Sequence, residues 1–172
     1  MNELYKEIMV KRKTQPIDTA KKAGMIALVV LSFLVGFLFI PIMMIGTVIL
    51  AVLAWFVITG LNLEYEYLYV NGDIDVDRIR NRERRKRVGS FELANLEMLA
   101  PSVSHDLDSY KNMKNAKVLD YSSGEEQAKT YTAVYTSEAN MSIVTLELPK
   151  EVVDDIRRRA PRKVSRDALL LG

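Results

Sequence analysis

The sequence predicts a membrane-spanning pair of α-helices followed by a mainly-β (α+β) soluble domain of six or seven antiparallel strands closed by a C-terminal helix. Three observations predict this arrangement. Residues 23–63 carry no charge over 41 positions, whereas a run of about 18 apolar residues already suggests a membrane span. After this run, apolar and polar side chains alternate in short segments, as they do in strands. An amphipathic segment opened by Pro149 comes last.

The apolar block is too long for a single span. One helix of that length would extend about 60 Å, twice the thickness of the bilayer core. Pro41 lies near its middle and lacks a backbone donor, so we expect two helices, 23–40 and 42–61. The turn "LFIPIMM" contains no polar side chain. A re-entrant hairpin therefore remains an alternative, although irregular backbone exposed to lipid is costly.

Flanking charge predicts the orientation of this hairpin. Lys21 and Lys22 precede the first helix and a basic cluster follows the second, whereas the turn at Pro41 carries no charge. Positive charge accumulates on the cytoplasmic side of spanning helices. We therefore expect a two-pass protein of the plasma membrane with both termini in the cytoplasm. No small-residue cleavage site follows the apolar run, so we expect no cleaved signal peptide.

The patterns divide the chain into four segments: residues 1–22, 23–61, 62–160 and 161–172. In the first, Leu4, Tyr5, Ile8 and Met9 recur at helical spacing, which predicts a cytoplasmic amphipathic helix at the membrane surface. A helix packed on the soluble domain is the alternative. Residues 161–172 form a basic tail that we expect to be flexible, because no period is recognisable after Pro161.

Residues 62–160 show the signals of a small β domain. "LEYEYLYV" and "DIDVDRIR" alternate strictly, and Asn71-Gly72 between them is a strong hairpin signal. In "PKEVVDDIRRR" the acidic residues come first and the arginines last, which suits the helix dipole, and Pro149 is expected at the first helical position. The remaining predicted strands are RKRVGSF, a strand in FELANLEMLAP after a single turn, AKVLDYS, KTYTAVYT and MSIVTLEL.

A membrane hairpin, a strand hairpin and then "RKRVGSFELANLEML" resemble the bacterial pleckstrin-homology-like (PH-like) membrane proteins. Their third strand leads into a pattern Ile-Pro-x-x-x-Ile-x-x-Val; here Phe91-Glu92 and Leu96 stand in the corresponding places and the proline is missing. The resemblance covers residues 23–160 and implies a PH-like barrel or bent sandwich. The whole chain, with its opening "MNELYKEIMVKRK", is also similar to a family of small two-span membrane proteins from anaerobic Gram-positive bacteria. That family has no assigned activity, so it implies none here.

Basic residues concentrate in "RIRNRERRKR", which we expect at the tip of a strand hairpin. Near a bilayer, each could gain about 1 kcal/mol from anionic lipids. The alternatives are a solvated hairpin protected from aggregation by its charge and a topology signal alone. We expect no nucleic-acid binding, because the cluster contains no aromatic residue and residues 64–172 carry 18 basic against 19 acidic residues. The predicted headgroup contacts are Arg78, Arg80, Arg82, Arg84, Arg85, Lys86, Arg87, Lys21 and Lys22.

Catalytic and metal-binding patterns are missing from the sequence. The chain has no cysteine and one histidine, His105, so thiolate chemistry is excluded and a zinc site is poorly supported. "DIDVD" could start a calcium loop, but Arg78 and Arg84 stand where that loop needs Gly and Glu. Tyrosines 65, 67 and 69 are interpreted as strand packing rather than as a pocket. We expect no catalytic residue, cofactor or metal.

The function these patterns favour is a non-catalytic binding or scaffolding module held at the membrane, with the lipid bilayer, its anionic headgroups and an unidentified protein as partners. The alternative is an auxiliary subunit of a larger membrane transport or envelope complex. No charged residue lies within the predicted spans, which argues against an ion pathway formed by this chain alone.

Overall fold

The computed structural model describes residues 4–38, 41–111, 113, 115–137 and 140–169. Two long apolar helices, a short helix and a C-terminal helix accompany two β-sheets. The helices are α1 (Pro16–Leu38), α2 (Met43–Gly60), α3 (Asp108–Lys111) and α4 (Lys150–Arg159). The strands are β1 (Tyr5–Lys11), β2 (Leu63–Val70), β3 (Asp73–Arg80), β4 (Arg84–Phe91), β5 (Leu96–Pro101), β6 (Ala116–Asp120), β7 (Tyr131–Ser137) and β8 (Asn140–Leu146).

The strands form two four-stranded sheets, ordered β1-β2-β3-β4 and β5-β7-β8-β6. Neither sheet closes on itself or on the other through strand pairing, so the described strands form a two-sheet structure and not a closed barrel. The hairpin predicted at Asn71-Gly72 is confirmed, and both residues have positive φ, 53° and 113°. The single turn predicted before β5 is also confirmed, as a 3-10 turn at Leu93–Asn95.

The N-terminal segment is a strand, and the predicted amphipathic helix is wrong. β1 pairs antiparallel with β2 along its whole length. Ile8 and Val10 face the core, whereas Tyr5 and Met9, which the helical spacing placed beside Ile8, are 59% and 58% exposed. The ladder with β2 supplies the backbone hydrogen bonds that a helix would otherwise have made.

The two apolar helices therefore lie between paired strands, as an insertion in the connection from β1 to β2. α1 begins at Pro16 rather than at residue 23, and the Asp18 carboxylate accepts a hydrogen bond from the Gln15 N–H at 3.2 Å. Asp18 thus lies in the first turn of α1, where its carboxylate satisfies the N–H of the residue that precedes the helix.

Among the described residues, α1 is the one helix long and apolar enough to cross a membrane, and α2 is a shorter apolar helix. They pack on each other around Gly36 and a hydrogen bond of 2.8 Å between the hydroxyls of Ser32 and Thr47. Residues 39 and 40 of the predicted turn lie outside the described residues. The prediction of two complete spans, like the re-entrant alternative, stays a prediction.

One hydrophobic core joins the two sheets and α4. Tyr67 and Tyr69 of β2 are fully buried and belong to the same core cluster as Tyr135 and Val144 of the second sheet. α4 begins at Lys150, so Pro149 precedes the helix and does not occupy its predicted first position. The helix contributes Val152, Val153 and Ile156 to the same core. Tyr67 and Tyr69 are thus packing residues, as interpreted from the sequence, whereas Tyr65 belongs to the same core but also lines a cleft.

Two further expectations were wrong: that all strands are antiparallel and that the C-terminal tail is flexible. β6 pairs parallel with β8, because the chain after β6 passes β8 and continues on its other side as β7. The tail is not free of contacts either, since Val164 forms a parallel bridge with Leu99 and a 3-10 turn follows at Arg166–Leu169. Val164 and Ala168 are buried, and their apolar contact with β5 holds this segment on the domain.

Candidate functional site

The basic cluster forms the hairpin of β3 and β4, and its tip lies beside the end of α2. Asn81 and Arg82 take left-handed φ values of 51° and 59°, which allow the tight reversal. The Asn81 N–H donates to the carbonyl of Asn62 at 3.0 Å, two residues after α2 ends. The arginine-rich tip therefore lies at the end of the sheet from which the apolar helices emerge.

One face of this hairpin pairs its cations with acids. We call Arg82, Arg85 and Arg87 the outer row. Arg85 lies 2.9 Å from Glu66, Arg87 lies 2.9 Å from Asp75 and 3.2 Å from Asp77, and Arg82 lies 3.7 Å from Glu64. Asp75 and Asp77 of "DIDVD" thus bind Arg87, and the outer row is largely neutralised within the domain.

A β-bulge at Val88 creates this pairing. Val76 lies opposite Gly89, but the next residue, Asp77, lies opposite Arg87, so Val88 is the extra residue. Without the bulge, Arg87 would lie opposite Arg78. The bulge thus replaces a repulsive cross-strand pair with an attractive one.

The other face carries cations without acids. Register places Arg78 opposite Lys86 and Arg80 opposite Arg84, and we call these four residues the inner row. Arg78 also lies opposite Tyr65 of β2, which fixes the inner row on the core-facing side of the sheet, beyond the end of the core. In the described part of the chain no carboxylate lies within ion-pair distance of any of the four. Like charges facing each other across strands are destabilising, and a bound anion would relieve the repulsion.

Lys21 and Lys22 lie on α1, near the same end of the sheet. They are about 8 Å along the helix from Pro16, with Lys21 exposed and Lys22 half-buried. The structure therefore separates the nine predicted contacts into three positions: the inner row, the outer row and the start of α1. Only the inner row and the α1 lysines present charge unmatched by an acid of the described chain.

The remaining sequence candidates show no arrangement for catalysis or metal binding. His105 is 99% exposed at its side chain, and its Nδ1 lies 3.1 Å from Asp108. Among the described residues no group of three or more His, Asp or Glu side chains could hold a metal ion.

A buried charge network was missed by sequence reasoning. The Asp155 carboxylate accepts hydrogen bonds from the Tyr69 hydroxyl and Arg159 Nε, both at 2.7 Å, and from Arg158 at 3.1 Å. Arg159 also donates to Asn71 in the β2–β3 turn at 3.0 Å. Burial opposes ionisation of Asp155, but the bonds from Arg159, Tyr69 and Arg158 outweigh it and lower the pKa of this carboxyl. The network fixes α4 on the first sheet. The helical spacing of residues 150–159 does not predict it, because Tyr69 and Asn71 lie on a segment remote in sequence.

A cleft was also missed. It has a volume of about 620 Å³ and opens between the β1–α1 linker and the segment that follows β6. Its sequence signals, "RKTQP" and "DYSSGEE", are 104 residues apart, from Pro16 to Asp120, and become neighbours only in the fold. The lining residues are Arg12, Lys13, Thr14, Gln15, Pro16, Tyr65, Asp120, Ser122, Ser123, Gly124 and Glu126.

Two four-stranded sheets sharing a core with a C-terminal helix define an α+β domain of the PH-like class, here with an apolar helical pair inserted after its first strand. The comparison with family models agrees. Residues 2–166 match the model of the bacterial PH-like domain family DUF6106, and the chain belongs to that family. Searches of curated proteins and of solved structures each found no match.

Proposed function

We propose that this chain is a two-pass protein of the bacterial plasma membrane whose PH-like domain acts in the cytoplasm as a non-catalytic binding module, with its inner row against anionic lipid headgroups. The observation that carries the proposal is the position of the unneutralised cations. They lie at the end of the domain joined to the apolar helices, and the hydrogen bond from Asn81 to Asn62 holds the hairpin tip there.

The helical pair supports membrane anchoring through its surface. α1 and α2 bury little beyond their mutual contact, and their large apolar side chains stay exposed in the isolated chain. Soluble domains rarely expose continuous apolar surface on this scale. The most exposed of these residues are Leu31, Phe37, Leu38, Ile42, Ile45, Val48, Ile49, Trp55 and Phe56.

The pairing of β1 with β2 supports the proposed sidedness. β1 precedes the helices and β2 follows them, yet the two strands pair over seven consecutive positions. Both ends of the inserted hairpin must therefore be on one side of any membrane that it enters. The lysines at the start of α1 and the arginines of the hairpin favour the cytoplasmic side.

A single-cysteine labelling experiment tests the headgroup contact, because the natural chain has no cysteine. The full chain carries an environment-sensitive fluorophore at Glu83→Cys, on the hairpin tip, or at Ala94→Cys, an exposed position in the turn before β5. Each is reconstituted in nanodiscs of phosphatidylcholine with or without phosphatidylglycerol. We expect anionic lipid to shift the emission of the Glu83 label, and 0.5 M salt to reverse the shift. The Ala94 label should not respond.

Two charge-matched double variants identify the face that makes the contact. Arg80→Gln with Arg84→Gln removes two inner-row charges, and Arg85→Gln with Arg87→Gln removes two outer-row charges. At about 1 kcal/mol per cation, loss of the inner pair should weaken the contact about 30-fold, while loss of the outer pair should change it much less. An unchanged Glu83 signal on addition of phosphatidylglycerol would refute the headgroup contact. Extraction of the wild-type chain from cell membranes by alkaline carbonate would refute the anchoring.

A further inference from the structure

The cleft beside the β1–α1 linker exposes a tyrosine hydroxyl group that has no partner among the described residues. Tyr65 is 9% exposed and lines the cleft. The hydroxyls of the neighbouring core tyrosines donate to protein acceptors: Tyr67 to the Tyr121 carbonyl, Tyr69 to Asp155 and Tyr121 to the Val88 carbonyl. The Tyr65 hydroxyl makes no hydrogen bond with any described residue. Among the described residues the buried side-chain polar atom without a partner is Thr136 Oγ1, so the Tyr65 hydroxyl is open to the cleft and can donate to a ligand bound there.

The surroundings of that hydroxyl carry both signs of charge. Burial raises the pKa of Tyr65, the guanidinium groups of Arg12 and Arg78 oppose this effect, and Asp120 adds to it. The phenol therefore stays protonated at neutral pH and can donate. Arg12 supplies a cation to the cleft wall, and Glu126 supplies a second carboxylate beside Asp120.

Asp120 has acceptor capacity left for a ligand. Its Oδ1 accepts from the N–H of Ser122 at 2.9 Å and from the Ser122 hydroxyl at 2.7 Å. Its Oδ2 makes no hydrogen bond or ion pair with any described residue. The cleft thus offers donors from Arg12 and Tyr65 and an acceptor from Asp120. A simple polyanion would use the donors but would be repelled by the carboxylates.

We propose that this cleft binds the headgroup of a phospholipid that carries both a phosphodiester and an N–H or O–H donor. Arg12 and the Tyr65 hydroxyl donate to the phosphate oxygens, and the ammonium or hydroxyl group of the headgroup donates to Asp120. Pro16 lines the cleft and starts α1, and the last charge before its apolar run is Lys22. The cleft therefore lies at headgroup depth, a step that rests on the proposed membrane anchoring. Phosphatidylcholine has the phosphate but no such donor.

Native mass spectrometry of the full chain in mild detergent tests this site. The chain is titrated with short-chain phosphatidylethanolamine, phosphatidylglycerol or phosphatidylcholine, and with the water-soluble glycerophosphoethanolamine. We expect one retained phosphatidylethanolamine or phosphatidylglycerol per chain, with phosphatidylcholine bound at least fivefold more weakly. Tyr65→Phe should weaken retention about five- to tenfold, the effect of one lost hydrogen bond. Arg12→Gln should weaken it at least as much.

Lys11→Gln is the charge-matched control, since Lys11 is adjacent to Arg12 but does not line the cleft; it should retain lipid like the wild type. The melting temperature of Tyr65→Phe should match that of the wild type, because the hydroxyl has no partner in the described chain. Equal retention of phosphatidylcholine, or unchanged retention by Tyr65→Phe, would overturn the site. Equally tight binding of glycerophosphoethanolamine would overturn the assignment to a lipid. If the chain gives any of these results but stays in membranes washed with carbonate, the lipid site in the cleft is refuted and the proposed anchoring is not.

Discussion

Replacing Asp155 by asparagine tests the buried network that attaches α4 to the first sheet. The substitution keeps the size of the side chain but removes the charge that holds Arg159 Nε at 2.7 Å and Arg158 at 3.1 Å. The Tyr69 hydroxyl can still donate to the amide oxygen. Breaking a buried, hydrogen-bonded ion pair costs about 3 kcal/mol, and at about 2–4 °C per kcal/mol for a chain of this size, the melting temperature should fall by about 6–12 °C.

The assay is thermal unfolding of the full chain in detergent, followed by circular dichroism in the near ultraviolet, where buried tyrosines report packing. Asp154→Asn is the matched control, because Asp154 is the adjacent acid on the same helix and makes no ion pair with a described residue. It should lower the melting temperature by no more than about 2 °C. Equal effects of the two variants at pH 7 would refute the role given to the network.

The pH dependence gives the same reasoning a second check. The pKa of Asp155 is lower in the folded chain than its ordinary value of 3.8, so the charge stabilises the fold above that value. This contribution is lost as the pH falls through the folded pKa. The gap in melting temperature between wild type and Asp155→Asn should therefore be constant from pH 7 to 5 and shrink below pH 4. A gap in melting temperature that widens in acid would show that folding does not lower the pKa of Asp155.

Three more predictions concern the β domain. Burial raises the pKa of Tyr67, so the folded chain should lose stability above pH 10, and in Tyr67→Phe the cooperative step of phenolate absorbance at 295 nm that accompanies unfolding should be smaller by one tyrosine; an unchanged step would contradict this. Gly72→Ala should destabilise the β2–β3 turn, since φ is +113° and a Cβ there would lie 2.6 Å from the Leu93 side chain; an unchanged melting temperature would refute the tight contact. The double variant Arg80→Gln and Arg84→Gln should melt no lower than wild type, because it relieves like-charge repulsion; a lower melting temperature would show that these arginines have protein partners.

The sequence predicted the local parts of this fold well. β2 and β3 match their predicted bounds, because strict alternation and Asn71-Gly72 are signals contained within 18 residues. β1 was missed because its partner is more than 50 residues away, across the whole apolar block. Its sequence alternates as well, with Ile8 and Val10 on the buried face, but the same residues also fit helical spacing. Pairing with β2 is what makes this segment a strand and not a helix.

The candidate site shows a similar limit. The cationic hairpin is visible in the sequence, whereas its division into a neutralised and an unneutralised face depends on one bulged residue, Val88. A shift of one residue exchanges the faces of every side chain beyond it, and no composition rule predicts where it occurs. The sequence also gives no sign that the Tyr65 hydroxyl lacks a protein partner. Whether a tyrosine hydroxyl has an acceptor depends on segments remote in sequence, as the bonds made by Tyr67, Tyr69 and Tyr121 show.

Under the proposed membrane anchoring, the insertion of the apolar helices between β1 and β2 would couple the membrane to the domain more directly than a terminal anchor could. Any tilt of α1 acts on β1 through the short linker 12–15, and any tilt of α2 acts on β2 at Leu63. The two strands are hydrogen-bonded to each other, and Arg12 extends the ladder with a bond of 3.0 Å to the Leu63 carbonyl. The helical pair is therefore held at both of its ends by one sheet. That sheet, with the hairpin tip tied to Asn62, keeps the inner row and the cleft at a fixed height relative to the apolar surface.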